Sequence, residues 1–162
     1  YSLLYSTAKS LPNVSFVFIG PVEESGRAGV QMLNSLNNTY FFGPKKKELI
    51  PAYLSCFDIC LNPFKVDKVS YSVSPLKVYE YLAMGKPVLS TPMPGLERES
   101  VGELIEFAHT AMFANRLKEI LRSCNSEENT VAHFNTVQRY SWSSRFENLL
   151  FHIKDVQNIA FQ

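Results

Sequence analysis

The sequence predicts a three-layer α/β domain built on a parallel sheet. Three observations carry this reading. Short apolar runs alternate along the chain with segments of helical periodicity. Most of those runs are continuous rather than alternating, as strands covered on both faces require. Four of the five end in a turn marked by Gly-Pro, Asn-Pro or Thr-Pro. Strand–helix alternation of this kind gives helices on both sides of a parallel sheet.

The elements follow in order. A helix is expected over about 1–10, then a strand at Val14–Ile19 closed by Gly20-Pro21. Met32, Leu33 and Leu36 place a helix over about 28–36, before a strand at Thr39–Phe42 closed by Gly43-Pro44. Leu49, Ile50, Tyr53 and Leu54 mark a helix over about 47–55, and Phe57–Leu61 the next strand, closed by Asn62-Pro63. A helix over 75–84 leads to a strand at Pro87–Ser90 closed by Thr91-Pro92, and Leu104–Phe107 is a weaker fifth strand. Helices over 110–123, near 127–138 and over about 143–154 complete the chain, with 157–162 expected to fray. One domain over 1–138, with a helix and tail over 139–162, is the expected organisation. In such sheets the ligand crevice lies beyond the carboxyl ends of the strands, so the four Pro-marked loops are its candidate walls.

Composition narrows the function. The 162 residues carry 16 basic and 15 acidic side chains, which argues against a bulk electrostatic nucleic-acid binder. No apolar run approaches the ~20 residues of a membrane span. Tyr1-Ser2-Leu3-Leu4 lacks a signal-peptide pattern and reads as the interior of a longer chain. Cys56, Cys60 and Cys124 form no C-x-x-C pair and are expected to be free thiols in a reducing compartment. His109, His133 and His152 lack metal-ligand spacing, so no metal is expected. G-x-G-x-x-G, Walker A and G-x-S-x-G motifs are absent, which disfavours dinucleotide redox chemistry, NTP hydrolysis and serine hydrolysis. Lys45-Lys46-Lys47 reads as a solvated face, with an anionic contact as the alternative.

The stretch from Ser74 to Thr91 carries the chemistry. Ser74 is a fitting N-cap, Pro75 suits the first turn, Gly85 suits the left-handed position past the end, and Pro87 blocks continuation. The helix start offers free N–H groups and a positive dipole end to an anion. Glu80 lies on the same face as Lys77 and can accept hydrogen bonds from ligand hydroxyls. Phosphate at the cap with a diol beyond it describes a nucleotide.

Ser74-Pro75-Leu76-Lys77-Val78-Tyr79-Glu80-Tyr81-Leu82-Ala83-Met84-Gly85-Lys86-Pro87-Val88 resembles the donor-binding motif of family 4 glycosyltransferases of the GT-B fold. Members making bacterial teichuronic acid or capsule are especially similar. The flanks match in order: Val17–Pro21, Tyr40–Gly43 with Leu49–Leu54, and Asp58–Phe64. The match covers roughly residues 1–122, and the segment from Tyr140 resembles the helix that crosses back to the partner domain.

The resemblance implies the following. The fold is the Rossmann-like, nucleotide-binding C-terminal half of the enzyme, without its first strand and without the N-terminal acceptor domain. The family's strand order 3-2-1-4-5-6 then leaves the sheet incomplete. Glu80 holds the ribose hydroxyls, backbone amides of Ser74, Pro75 and Leu76 meet the diphosphate, and the Gly43-Pro44 loop receives the base. Glu80 matches the second carboxylate of the family's pair, and Ser72 stands where the family has the first, a departure from the pattern. Lys77 is a weaker phosphate ligand, and Phe64 and Tyr71 could line the pocket or pack in the core. The donor is a nucleoside diphosphate sugar of UDP or GDP type, transferred to an acceptor hydroxyl with retention and without cofactor or metal. No catalytic residue is assigned, and these residues alone are expected to transfer negligibly. The expected location is cytoplasmic, at the inner face of a membrane, with an exposed, partly apolar surface toward the missing half. The alternatives are a non-catalytic nucleotide-binding or interaction domain, a GT-B sugar-nucleotide epimerase and, more weakly, a flavodoxin-like regulatory domain.

Overall fold

The computed structural model describes residues 1–67, 73, 75–123 and 134–160. Its strands are β1 (Phe16–Phe18), β2 (Thr39–Phe41), β3 (Cys60–Asn62), β4 (Val88–Ser90) and β5 (Ile105–Phe107). Its helices are α1 (Ser2–Ser10), α2 (Arg27–Leu33), α3 (Ile50–Ser55), α4 (Leu76–Ala83), α5 (Pro94–Glu97), α6 (Phe113–Ser123) and α7 (Trp142–Ala160), with a helical segment over 134–138 before α7. All five expected strands are present and every pairing is parallel.

The sheet is in two pieces. β1 pairs with β2, and β3, β4 and β5 pair in that order. The break falls between β1 and β3, where the sequence reading expected a strand to be lacking. Phe18 and Phe41 face each other in register and stack with centroids 4.5 Å apart, which ties the smaller piece together.

Helices cover both faces. Ala8 of α1 and Phe113, Leu117 and Ile120 of α6 bury Phe16 and Leu89 on one side. Val78, Tyr79 and Leu82 of α4, with Leu96 of α5, bury Val88 on the other. All three residues of β4 are buried, as the centre of a covered parallel sheet requires.

Several boundaries differ from the sequence reading. The third strand is shifted toward Asn62, because Cys56 and Phe57 donate to Tyr53 and Leu54 and close α3 with turns instead. The expected helices over 28–36, 47–55 and 110–123 each begin with a 3₁₀ turn, at Glu24–Gly26, Lys47–Leu49 and Thr110–Met112. α5 and the 3₁₀ turn Ser100–Leu104 lack a clear periodic signal. α7 continues through 157–160, where fraying was expected. Part of the helix expected near 127–138 lies outside the described residues. α7 exposes Trp142, Phe146, Leu149, Leu150 and Ile153, spaced as one helical stripe. Among the described residues no helix is long and apolar enough to cross a membrane.

Candidate functional site

α4 starts one residue later than its sequence suggests. Pro75 is the N-cap, extended at φ −72 and ψ 114, and its carbonyl accepts the Val78 N–H at 3.0 Å. Ser74 and Ser72 lie outside the described residues. Pro75 has no N–H, so the first amides of the helix are those of Leu76 and Lys77, which have no partner among the described residues. The other end is as read. Gly85 has φ +68, its N–H donates to the Leu82 carbonyl at 2.9 Å, and Lys86 N–H donates to the Tyr81 carbonyl at 3.0 Å.

Three loops meet at the carboxyl ends of the strands. Gly20 N–H donates to the Gly43 carbonyl at 3.0 Å and joins the turns that follow β1 and β2. Gly43 holds φ +65, a conformation that favours glycine. Beyond β3, Phe64 N–H donates to the Thr91 hydroxyl at 2.9 Å, and that hydroxyl donates to the Phe64 carbonyl at 2.7 Å. Below this clamp, the buried Asn62 donates its Nδ2 to Ser90 Oγ at 2.9 Å. Ser90 in turn donates to the Asn62 and Thr91 carbonyls. Asn62 Oδ1 is buried and has no partner among the described residues. This polar knot fixes the Pro63-Phe64 loop against β4. Sequence reasoning marked Asn62-Pro63 and Thr91-Pro92 as turns and missed their mutual bonding, which periodicity does not encode.

The predicted residues are brought together only in part. Lys77 lines a large cavity beside Gly20, Pro21 and Pro63, with its ammonium 5.0 Å from the Phe64 ring centroid. Burial pushes the Lys77 pKa below its ordinary 10.5. Glu80 and Leu76 are exposed on the outer side of α4, and Pro44 is exposed beyond β2. Pro75 is buried. None of these four, nor Gly43, lines that cavity. Most of its wall is instead β1, β3 and the helices around the break in the sheet. Phe64, read as a pocket or core residue, is half-buried, packs on the α4 core and carries the Lys77 ammonium. Two aromatic residues beyond the reading stand near the Gly43 loop: Phe42 and Tyr53, 6.3 Å apart, with Lys45 Nζ 5.9 Å from each ring.

The far side of α4 is anchored. Tyr79 donates its hydroxyl to Glu99 Oε2 at 2.7 Å, and Arg145 of α7 stands 5.6 Å from the Tyr79 ring and 6.0 Å from that of Tyr140. The helix is thus held from behind, with Lys77 at the cavity and Glu80 exposed to solvent.

Cys56 and Cys60 are free thiols, exposed and buried respectively. Cys124 lies outside the described residues, as does His133. Among the described residues no three His, Cys, Asp or Glu side chains gather as a metal cluster would.

The chain is 27% identical over 153 residues to the "Putative teichuronic acid biosynthesis glycosyltransferase TuaH" of Bacillus subtilis (strain 168). That alignment covers 93% of this chain and 38% of the relative, so the chain spans well under half the relative's length. The sequence profile of the family described as glycosyl transferases group 1 matches residues 3–123, three quarters of the chain and every strand of the sheet. With its parallel, Rossmann-like α/β architecture and the α4 motif at the strand ends, the chain belongs to the glycosyl transferases group 1 family.

Proposed function

We propose that this chain is the donor-binding part of a glycosyltransferase. The enzyme moves a sugar from a nucleoside diphosphate sugar to an acceptor hydroxyl during cell-surface polysaccharide synthesis, at the cytoplasmic face of the membrane. The observation that carries this is the start of α4. It presents two free amides and Lys77 at the carboxyl ends of the strands, with Glu80 three residues further along the helix. Amides and ammonium suit a diphosphate, and a carboxylate beyond them suits ribose hydroxyls. The family and the relative's name support the reaction class.

The chemistry follows from charge. The bond from the anomeric carbon to the diphosphate oxygen breaks, a bond from the acceptor oxygen to that carbon forms on the same face, and the acceptor's hydroxyl proton passes to the leaving diphosphate. Negative charge develops on the leaving diphosphate. The Leu76 and Lys77 amides and the Lys77 ammonium are placed to stabilise it before the reaction begins. The Gly43 loop, held by Gly20, receives the base. Ser72 and Ser74 remain part of the proposed site as residues preceding α4.

Calorimetric titration of the full-length protein with UDP, GDP, ADP and CMP tests this. Selective binding of one nucleoside diphosphate, lost in Glu80→Ala, is the expected result. Absence of binding for all four would leave an interaction module in place of a transferase.

A further inference from the structure

A lysine on a long, flexible stem has many rotamers, and freezing them opposes the binding of any anion. Lys77 is ordered in advance. Its side chain is half-buried, and its ammonium lies over the Phe64 ring, 5.0 Å from the centroid. The face of an aromatic ring attracts a cation, more strongly where water is partly excluded. Lys77 makes no salt bridge among the described residues. A carboxylate in the place of the ring would neutralise the ammonium and take its hydrogens. The ring fixes the charge and leaves those hydrogens for another acceptor.

The ring is itself fixed, although it stands on the loop that follows β3. Phe64 N–H is shared between the Thr91 hydroxyl at 2.9 Å and the Asn62 carbonyl at 3.1 Å. The same hydroxyl donates to the Phe64 carbonyl at 2.7 Å. One side chain thus holds both main-chain groups of Phe64, as a neighbouring strand would. Thr91 is 2% exposed and directly follows β4, whose three residues are all buried. Its own N–H donates to the Asn62 carbonyl at 3.3 Å. The Phe64 ring also packs on the buried cluster that contains Val78 and Leu82 of α4. Contacts therefore run without a break from the centre of the sheet, through Thr91 and Phe64, to the Lys77 ammonium.

We propose that the Phe64 ring is the seat that fixes the Lys77 ammonium at the start of α4, and that Thr91 is the positioning residue that fixes the seat. Lys77 then offers a diphosphate its main-chain amide and an ammonium already in place, so little ordering remains to be done on binding. The role in phosphate binding rests on the donor-site reading, while the geometry of the seat is tested apart from it.

The geometry is read by NMR of the full-length protein without nucleotide. A nuclear Overhauser contact between the Lys77 ε-methylene and the Phe64 ring is expected in the wild type, in Phe64→Tyr and in Thr91→Ser, and is lost in Thr91→Val. The role is read by titration with UDP and with GDP. Affinity for the nucleotide that binds should fall about three- to tenfold in Phe64→Leu and in Thr91→Val, and by less than about twofold in Phe64→Tyr and Thr91→Ser. In a Lys77→Met background, neither Phe64→Leu nor Thr91→Val should weaken binding further. Loss of the same size in that background would overturn the proposal, because a loop with a merely structural role would act without Lys77. Phe64→Leu leaves the Thr91 clamp intact and decides even where Thr91→Val folds poorly. Absence of the Lys77–Phe64 contact in the wild type, with nucleotide still bound, would overturn the seat alone. The contact without binding of either nucleotide would overturn the donor-site reading and the phosphate role together.

Discussion

Lys77 on α4 holds its ammonium 5.0 Å from the centroid of the Phe64 ring, which follows β3. The contact joins the helix start to the loop fixed by Thr91. It also leaves a half-buried ammonium whose charge desolvation disfavours. An anion at the start of α4 would supply the missing counter-charge.

Lys77→Met should therefore weaken binding of the cognate nucleoside diphosphate roughly tenfold, the scale of one charge-assisted contact. Burial lowers the Lys77 pKa, so its charge is lost at a lower pH than for an exposed lysine. Affinity should decline as pH rises toward 10.5, and binding should take up protons. Calorimetry in buffers of different ionisation enthalpy measures both effects, and neither should appear in Lys77→Met.

Glu80 is exposed, so replacing it should change the melting temperature little. If it grips the ribose, Glu80→Ala and removal of the ribose 2′-hydroxyl from the ligand each cost roughly tenfold in affinity. Together they should cost little more than either alone. Additive losses in that cycle would place Glu80 elsewhere.

Much of the fold was legible because its signals are local. Apolar runs marked four strands clearly and Leu104–Phe107 more weakly, and Gly85 with Pro87 marked the end of α4. What sequence periodicity could not give was which edges pair: nothing in the sequence of Val17 or Leu61 says that each faces a gap. The site was legible in the same uneven way. Helix spacing put Lys77 and Glu80 on one face, while the structure sets Lys77 at the cavity and leaves Glu80 exposed away from it. The N-cap was misplaced by one residue, because Ser74-Pro75 fits two registers equally well and extended Pro75 takes the cap. The knot of Asn62, Ser90 and Thr91 is long-range, joining Asn62 to Ser90, 28 positions on, and to Thr91 beside it, and leaves no periodic trace.

Gly43 offers a test of the base-side loop. A methyl group there would meet nothing within 4 Å, so the cost of Gly43→Ala lies in its φ of +65 alone. That cost should be about 1 kcal/mol of stability. Relaxation of the loop would break the bond from Gly20, and nucleotide affinity should fall with it. Thermal denaturation and titration of the same variant separate the two effects.

Cys60 and Tyr81 predict alkaline sensitivity. Burial pushes the Cys60 thiol from 9.0 up to about 12, and the Tyr81 hydroxyl from 10.0 up to about 12. The folded state keeps protons that the unfolded chain gives up. Stability should therefore fall as pH rises from 9.0 toward about 12. Lys77, with its lowered pKa, acts in the opposite direction up to 10.5. Comparison with Cys60→Ala isolates the thiol: its denaturation midpoint should be lower at neutral pH but fall less steeply between pH 9 and 10. The difference in slope is bounded by ~1.4 kcal/mol per pH unit.

Asn38 closes the amino ends of the smaller sheet piece. Its Nδ2 reaches the carbonyls of Ala8, Leu11 and Val14 at 3.0, 3.0 and 2.9 Å. One amide thus serves the last turn of α1, the residue after it and the turn into β1. Two of these carbonyls also accept a main-chain N–H, Ala8 from Leu11 at 3.3 Å and Leu11 from Val14 at 3.0 Å, so the side chain supplements the turn that links α1 to β1. Asn38→Ala should cost about 2 kcal/mol, the scale of losing the hydrogen bonds of one side-chain amide. Asn38→Asp should cost more, since a carboxylate would face three carbonyl oxygens with no hydrogen to give. Urea denaturation at neutral pH should rank the three proteins wild type, Ala, Asp. The Asp variant should recover part of its loss below pH 4, where its carboxyl regains a proton and can donate once.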